Sequence, residues 1–252
     1  MKKNFVAAAL LIICGNTYVI SQSNPVLPAG FSSQTVFSPD VAFTQPVGLT
    51  FNHDGSQMFV WEKRGRVYVS NYDGGTGKYV RQSTPVLNIE DEVGDWQDMG
   101  LVGFALDPNY ESNRMIYLLY VVDQGFLLNG VPDLSKNFQA TIGRITKYQT
   151  TSNGNIVAIG SSRQVILGTQ ADNGIPILYD SHGVGSLQFG SDGTLLASVG
   201  DGASYNGTDP GGPECGGCGS YAPQGLALGI IRPNEDVGAY RSQMLIVSTA
   251  KS

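Results

Sequence analysis

Charge is scarce in this chain, and so is histidine. Asp, Glu, Lys and Arg make up 14% of 252 residues, with 15 cations against 21 acids and a formal net charge of −6. So little charge beside 12 Tyr and 10 Phe excludes intrinsic disorder, which goes with high charge and few aromatics. It also excludes a helical bundle or coiled coil, built largely from Ala, Glu, Lys, Leu and Arg. No basic run offsets the acidity, which argues against nucleic acid as a partner. The two histidines, His53 and His182, stand apart. With no second Cys/His pair, a four-ligand zinc site has no candidates. The N-terminal apolar run, residues 5–14, is shorter than the roughly 20 residues needed to span a bilayer, so no transmembrane anchor is expected.

That run has another use. Lys2 and Lys3 precede it, and Val19-Ile20-Ser21 follow after polar Asn16 and Thr17. A basic start, a short apolar stretch and small residues at a cut site read as a secretory signal. The expected cleavage follows Ser21, leaving a secreted or periplasmic chain of residues 22–252. Loss of the two lysines takes the net charge from −6 to −8. Cys215 and Cys218 then remain, as Cys-Gly-Gly-Cys in a Gly-rich stretch. In an oxidising compartment a short-loop disulfide is expected. A redox Cys-x-x-Cys is the alternative, but no visible helix opens there.

Glycine is plentiful, at 33 residues. Short runs rich in Val, Ile, Tyr and Phe alternate with Gly, Asn, Asp and Pro, and residues 58–61, 66–69, 115–120 and 195–199 read as strands. Asp54-Gly55, Asp73-Gly74 and Asp192-Gly193 read as turns between them. A phrase repeats: residues 47–56 resemble 185–194, each placing a Phe three residues before an Asp-Gly turn, and residues 103–108 are a looser copy. Asp54 and Asp192 lie 138 residues apart, three steps of 46. Four strands per 40 to 50 residues is the spacing of β-propeller blades. A β-sandwich is the rival and leaves the repeat unexplained. The phrase itself is hairpin grammar, and Asp54 and Asp192 are assigned no chemistry. Residues 124–139 are polar and irregular and read as an insertion between strands.

Two segments are more specific. Met99-Gly100-Leu101-Val102-Gly103-Phe104-Ala105-Leu106-Asp107-Pro108-Asn109-Tyr110 is one; Ser181-His182-Gly183-Val184-Gly185-Ser186-Leu187-Gln188-Phe189, running into Ser198-Val199-Gly200-Asp201-Gly202, is the other. Together they resemble the glucose/sorbosone dehydrogenase family, soluble quinoprotein sugar dehydrogenases that use pyrroloquinoline quinone (PQQ). The resemblance runs from about Pro46 to Leu245. It implies a six-bladed β-propeller with the quinone on one face. His182 aligns with the family's general base, which takes the proton of the anomeric hydroxyl as hydride passes to the quinone. Asp201 aligns with the carboxylate that orients that imidazole. An imidazole suits the task because its ordinary pKa, about 6.5, lies near working pH. The family places a substrate-binding Gln where this chain has Asp98, with Gln97 one step earlier. Asn206 falls at another polar substrate contact.

The same resemblance puts the cations that grip the quinone, and the carbonyls that hold its calcium, in later blades beyond Ser252. At about 46 residues per blade this chain reaches four or five units of an incomplete ring. Relatives continue past the equivalent of Leu245 with Asn-Ser-Leu-Asn-Gly-Lys-Ile-Leu. A one-base slip in suitable codons for that continuation gives the Ile-Val-Ser-Thr-Ala-Lys-Ser found at 246–252. A truncation after Leu245 is therefore expected, and the downstream DNA tests it. The chain as it stands is expected to be inactive with PQQ. Three functions follow. One is a PQQ- and calcium-dependent sugar dehydrogenase that passes electrons to an external acceptor. The second is a non-catalytic propeller that binds glycans or protein surfaces, and the third, more remote, is a calcium-binding propeller hydrolase.

Overall fold

A computed structural model describes residues 26–38, 40–203, 210, 220–235, 238 and, for their backbone, 244–247. The signal region, Asn206, Cys215 and Cys218 lie outside the described residues. The chain divides into two compact units, residues 1–35 and 36–252. In the first, residues 26–35 are exposed and turn once, where Phe31 N–H donates to the Pro28 carbonyl at 3.1 Å.

The second unit is built of antiparallel sheets. β1 (Pro46–Phe51), β2 (Gln57–Glu62), β3 (Arg66–Asp73) and β4 (Lys78–Arg81) follow one another in space as in sequence, with β5 (Leu87–Asn88) also on β3. A second sheet runs β6 (Leu101–Leu106), β7 (Met115–Val121), β8 (Thr141–Gln149) and β10 (Ile175–Ile177), with β9 (Gln164–Leu167) also on β8. The third holds β11 (Val184–Phe189), β12 (Leu195–Val199) and β13 (Met244–Val247). All four strands read from the sequence fall inside β2, β3, β7 and β12. Residues 124–139 are the expected insertion, between β7 and β8, but carry a short helix, α2 (Gln124–Asn129), beyond the one-turn α1 (Tyr110–Asn113) that precedes β7. Asp123 caps α2 by accepting the Phe126 N–H at 2.9 Å.

The sheets stack face to face. β7 is apolar along its whole length because both its faces are covered. Its even-numbered residues Ile116, Leu118 and Tyr120 pack with Phe59, Trp61, Val67 and Val69 of the first sheet. Its odd-numbered residues Tyr117, Leu119 and Val121 pack with Leu187, Leu195 and Ala197 of the third. Each fully buried Leu or Phe contributes about 1.5–3 kcal/mol by leaving water. The first strands adjoin, β1 against β6 and β6 against β11. Meandering sheets stacked through their first strands are propeller blades, and the fold is all-β and of β-propeller type. The blades begin at residues 46, 101 and 184, intervals longer than the 46-residue step. The stretch between β5 and β6 lengthens the first interval, and the connection from β7 through α2 to β8, with the β9–β10 excursion, lengthens the second. Three sheets therefore occupy the described residues, where equal steps lead to four or five. β13 pairs with β12 through Val247, so the pairing does not stop at Leu245.

The repeated phrase has a structural cause. Each first strand slips register near its start: between Pro46 and Gly48, Leu101 and Gly103, and Val184 and Leu187. A glycine sits at each bulge. At Gly103 a Cβ would lie 2.8 Å from the Gly185 carbonyl oxygen, where the two motif segments touch.

Two tyrosines on β7 are held neutral. Tyr117 donates to Asp107 at 3.1 Å, and burial, then the Asp107 charge, raises its hydroxyl to about 12. Burial first, then Glu92, raises that of Tyr120 well above the ordinary value near 10. A raised pKa means the fold favours the neutral form. That stabilisation is complete below about pH 10 and lost as pH rises to about 12. Alkaline titration followed by circular dichroism and tyrosinate absorbance is expected to show unfolding accompanying the last tyrosines to ionise, Tyr117 and Tyr120 among them. Uniform ionisation near pH 10 in an intact fold would contradict this.

Candidate active site

The site grows from one hairpin. β11 and β12 diverge from the turn at Gly190–Gly193, and their open ends come together at Val184↔Val199. Two residues further on each strand stand His182 and Asp201. Gly200 N–H donates to the Gly183 carbonyl at 2.7 Å, and Gly202 N–H to the His182 carbonyl at 2.9 Å, so pairing continues past the formal strand ends. The 19-residue interval is thus a hairpin distance. The bulge between Val184 and Leu187 sets its phase; without the extra residue Asp201 would face Gly183.

The side chains meet. His182 Nδ1 lies 2.9 Å from Asp201 Oδ1. The His182 side chain is 51% exposed and the Asp201 side chain 28%. With the carboxylate on Nδ1, that nitrogen carries the hydrogen and Nε2 is left as the acceptor. Asp201 Oδ1 also accepts the Ala203 N–H at 3.1 Å. His182 itself has φ +51°, left-handed backbone that costs a side-chain-bearing residue roughly 1–3 kcal/mol. Its peptide is packed so closely that a Cβ on Gly200 would fall 2.1 Å from the His182 carbonyl oxygen. Gly200→Ala is therefore expected to spread the hairpin end, cost about 1–3 kcal/mol and break the His182–Asp201 bond. A changed His182 imidazole nitrogen signal in NMR, with a lower melting temperature, checks it; an unchanged imidazole signal would contradict it.

A second loop closes on the first. Asp98 N–H donates to the Asp180 carbonyl at 3.3 Å, and a Cβ on Gly183 would touch the Met99 sulfur at 2.8 Å. Gln97 and Asp98, both exposed, thus flank the His182 turn. Gln97, like His182, is left-handed, with φ +45°, and its carbonyl takes a hydrogen bond from Lys63 Nζ. Lys63 and Asp180 are the residues that sequence reasoning missed. Among the described residues, Asp180 Oδ1 is buried without a hydrogen-bond partner, as is Trp96 Nε1. Nothing local marks Lys63, which reaches this loop from the end of β2. The other histidine, His53, lies at the opposite end of the first strands, beside a cavity of about 530 Å³ lined by Phe51, Asp107, Glu111 and Phe189.

Histidine with its ring nitrogen on a carboxylate is a proton-accepting pair. The donor set around it is mainly acidic, Asp98, Asp180 and Asp201 with the Gln97 amide, and its one cation, Lys63, donates to the Gln97 carbonyl. It fits the proton-accepting side of a reaction and not the grip on a tricarboxylate quinone, which needs cations. Among the described residues no three His, Cys, Asp or Glu side chains converge as a metal site. No helix among these residues is long and apolar enough to cross a membrane.

Fold and site together define a β-propeller with a histidine–aspartate pair at one end of its blades. Residues 43–216, more than half of the chain, match the glucose/sorbosone dehydrogenase family, and the chain belongs to it. Hedgehog-interacting protein from Homo sapiens is 29% identical over 164 residues, covering 63% of this chain and 21% of that protein. The Mus musculus protein of the same name is 28% identical over the same length. Among solved structures, the PQQ-bound aldose sugar dehydrogenase from Streptomyces coelicolor is 20% identical, with a TM-score of 0.47 over 69% of this chain and 42% of that one. The soluble aldose sugar dehydrogenase from Escherichia coli, in apo form, is 18% identical, with a TM-score of 0.43 over 63% and 38%. The chain thus spans about a fifth of the curated relatives' length.

Proposed function

We propose that this chain carries the proton-accepting part of a secreted, PQQ-dependent sugar dehydrogenase. The observation that supports it is the 2.9 Å bond between His182 and Asp201 beside an open imidazole, in a member of the glucose/sorbosone dehydrogenase family. In this reading Nε2 of His182 accepts the proton of an aldose's anomeric hydroxyl while the C1 hydrogen leaves as hydride. Asp201 holds the Nδ1–H and stabilises the imidazolium that forms. Gln97 and Asp98 hold the sugar's hydroxyls. When bound, PQQ supplies the hydride acceptor, and an external acceptor reoxidises it. Residues 22–252 are then the N-terminal portion of a longer ring, with calcium and the quinone's carboxylates held by later blades. The exposed apolar residues of β1, Val47, Leu49 and Phe51, are in keeping with a further blade against that strand.

Dye-linked oxidation of aldoses with PQQ and Ca²⁺, run on the 252-residue chain and on one extended by the downstream reading frame, tests this. Turnover is expected only in the extended chain. An extended chain that neither binds PQQ nor oxidises sugars would overturn it and favour a non-catalytic binding module. One observation favours that second reading: the curated relatives are named for an interaction.

A further inference from the structure

A buried charge cluster lies away from the His182 turn, on the second sheet. Glu92, between β5 and β6, is 6% exposed. Its Oε1 accepts from Tyr120 at 2.5 Å, from Arg144 Nη1 at 2.5 Å and from Arg163 Nη2 at 2.7 Å. Arg144 also donates Nε–H to the Gly168 carbonyl at 2.6 Å, and Arg163 donates Nε–H to the Tyr148 hydroxyl at 3.1 Å. Two guanidiniums thus share one carboxylate oxygen. These bonds use Nε and Nη1 of Arg144 and Nε and Nη2 of Arg163, and Arg163 also bonds the Tyr120 side chain, which leaves guanidinium N–H groups of both residues over.

A groove of about 540 Å³ opens on them, lined by Glu92, Phe126, Arg144, Tyr148, Arg163, Val165 and Thr169. Its lining carries one negative and two positive charges. Asp123, whose N–H donates to the Glu92 carbonyl at 2.9 Å, spends Oδ1 on the Phe126 and Asp133 N–H groups of the insertion. The wall is mixed: Phe126 from α2 and Val165 from β9 are apolar, while Thr169 offers a hydroxyl. Arg163 is one-third exposed, so the groove is reachable from solvent. Its backbone is also built for the place. Gly168 has φ +85° and lies so close to Arg144 that a Cβ would sit 3.2 Å from the Arg144 Cα.

We propose that this groove binds a small organic monocarboxylate with an apolar or aromatic body. The carboxylate takes the spare guanidinium N–H groups of Arg144 and Arg163 as a charge-assisted pair, which planar guanidinium favours. One net positive charge matches one negative charge. The body lies on Phe126 and Val165, and no step of the proposed sugar chemistry uses these residues.

Titration of the full chain with benzoate, followed by calorimetry and by the Arg Nε–H signals in NMR, tests this. Saturable binding is expected with Kd in roughly the millimolar range, moving the Arg144 and Arg163 signals. Benzyl alcohol, which lacks the charge, is expected to bind at least about tenfold more weakly. Arg163→Gln is expected to weaken benzoate at least about tenfold and leave benzyl alcohol unchanged. Absence of saturation, equal binding of benzyl alcohol, or shifts confined to other arginines would overturn the proposal. The wild-type shifts decide the matter even where the variant folds poorly.

Discussion

In the extended, PQQ-loaded protein, His182→Ala is expected to reduce sugar oxidation by roughly 10²–10⁴-fold, the usual contribution of a positioned general base. Quinone binding is expected to change little, because the quinone's carboxylates are gripped elsewhere in this account. Asp201→Asn is expected to fall between wild type and His182→Ala. The amide keeps the shape but not the charge that stabilises the imidazolium. Steady-state rates at saturating PQQ, with occupancy read from quinone absorbance, separate these effects. Equal loss of binding and turnover would mean that His182 holds the cofactor instead.

The second large effect concerns stability. Glu92 pairs with two arginines where the Arg144 and Glu92 side chains are each 7% exposed. Glu92→Gln leaves both guanidiniums facing an amide. Removing one partner of a buried ion pair costs about 3–5 kcal/mol, since the charge left behind is desolvated and unpaired. Urea unfolding of wild type and variant measures this. A difference below about 1 kcal/mol would mean that water reaches the cluster and screens it. Burial opposes the charge of Arg163, yet its pKa is pushed above the ordinary value because Glu92, together with Tyr120 and Tyr148, outweighs that burial.

Much of the fold was legible because it is periodic. β7 announced itself as an unbroken apolar run, and its two covered faces explain why it does not alternate. The repeated Phe and Asp-Gly phrase marked β1 and β11 because both must start with a bulge and end in a tight turn. Blade spacing was not legible, since α2 and the β9–β10 excursion lengthen the second sheet's stretch of chain without changing its other strands. At the site, His182 and Asp201 were paired through the family resemblance, and the β11–β12 hairpin is the physical reason for their 19-residue interval. Lys63 was not legible, because it reaches Gln97 from another blade. The Glu92 cluster was equally hidden: Arg144 and Arg163 sit in unrelated stretches, joined only by the packing of β8 and β9.

The most direct test is a structure of the extended protein with PQQ and a bound aldose. The account expects His182 Nε2 within about 2.6–3.2 Å of the anomeric hydroxyl, with Asp201 still on Nδ1. A sugar bound elsewhere, or an imidazole turned away with Asp201 detached, would contradict it.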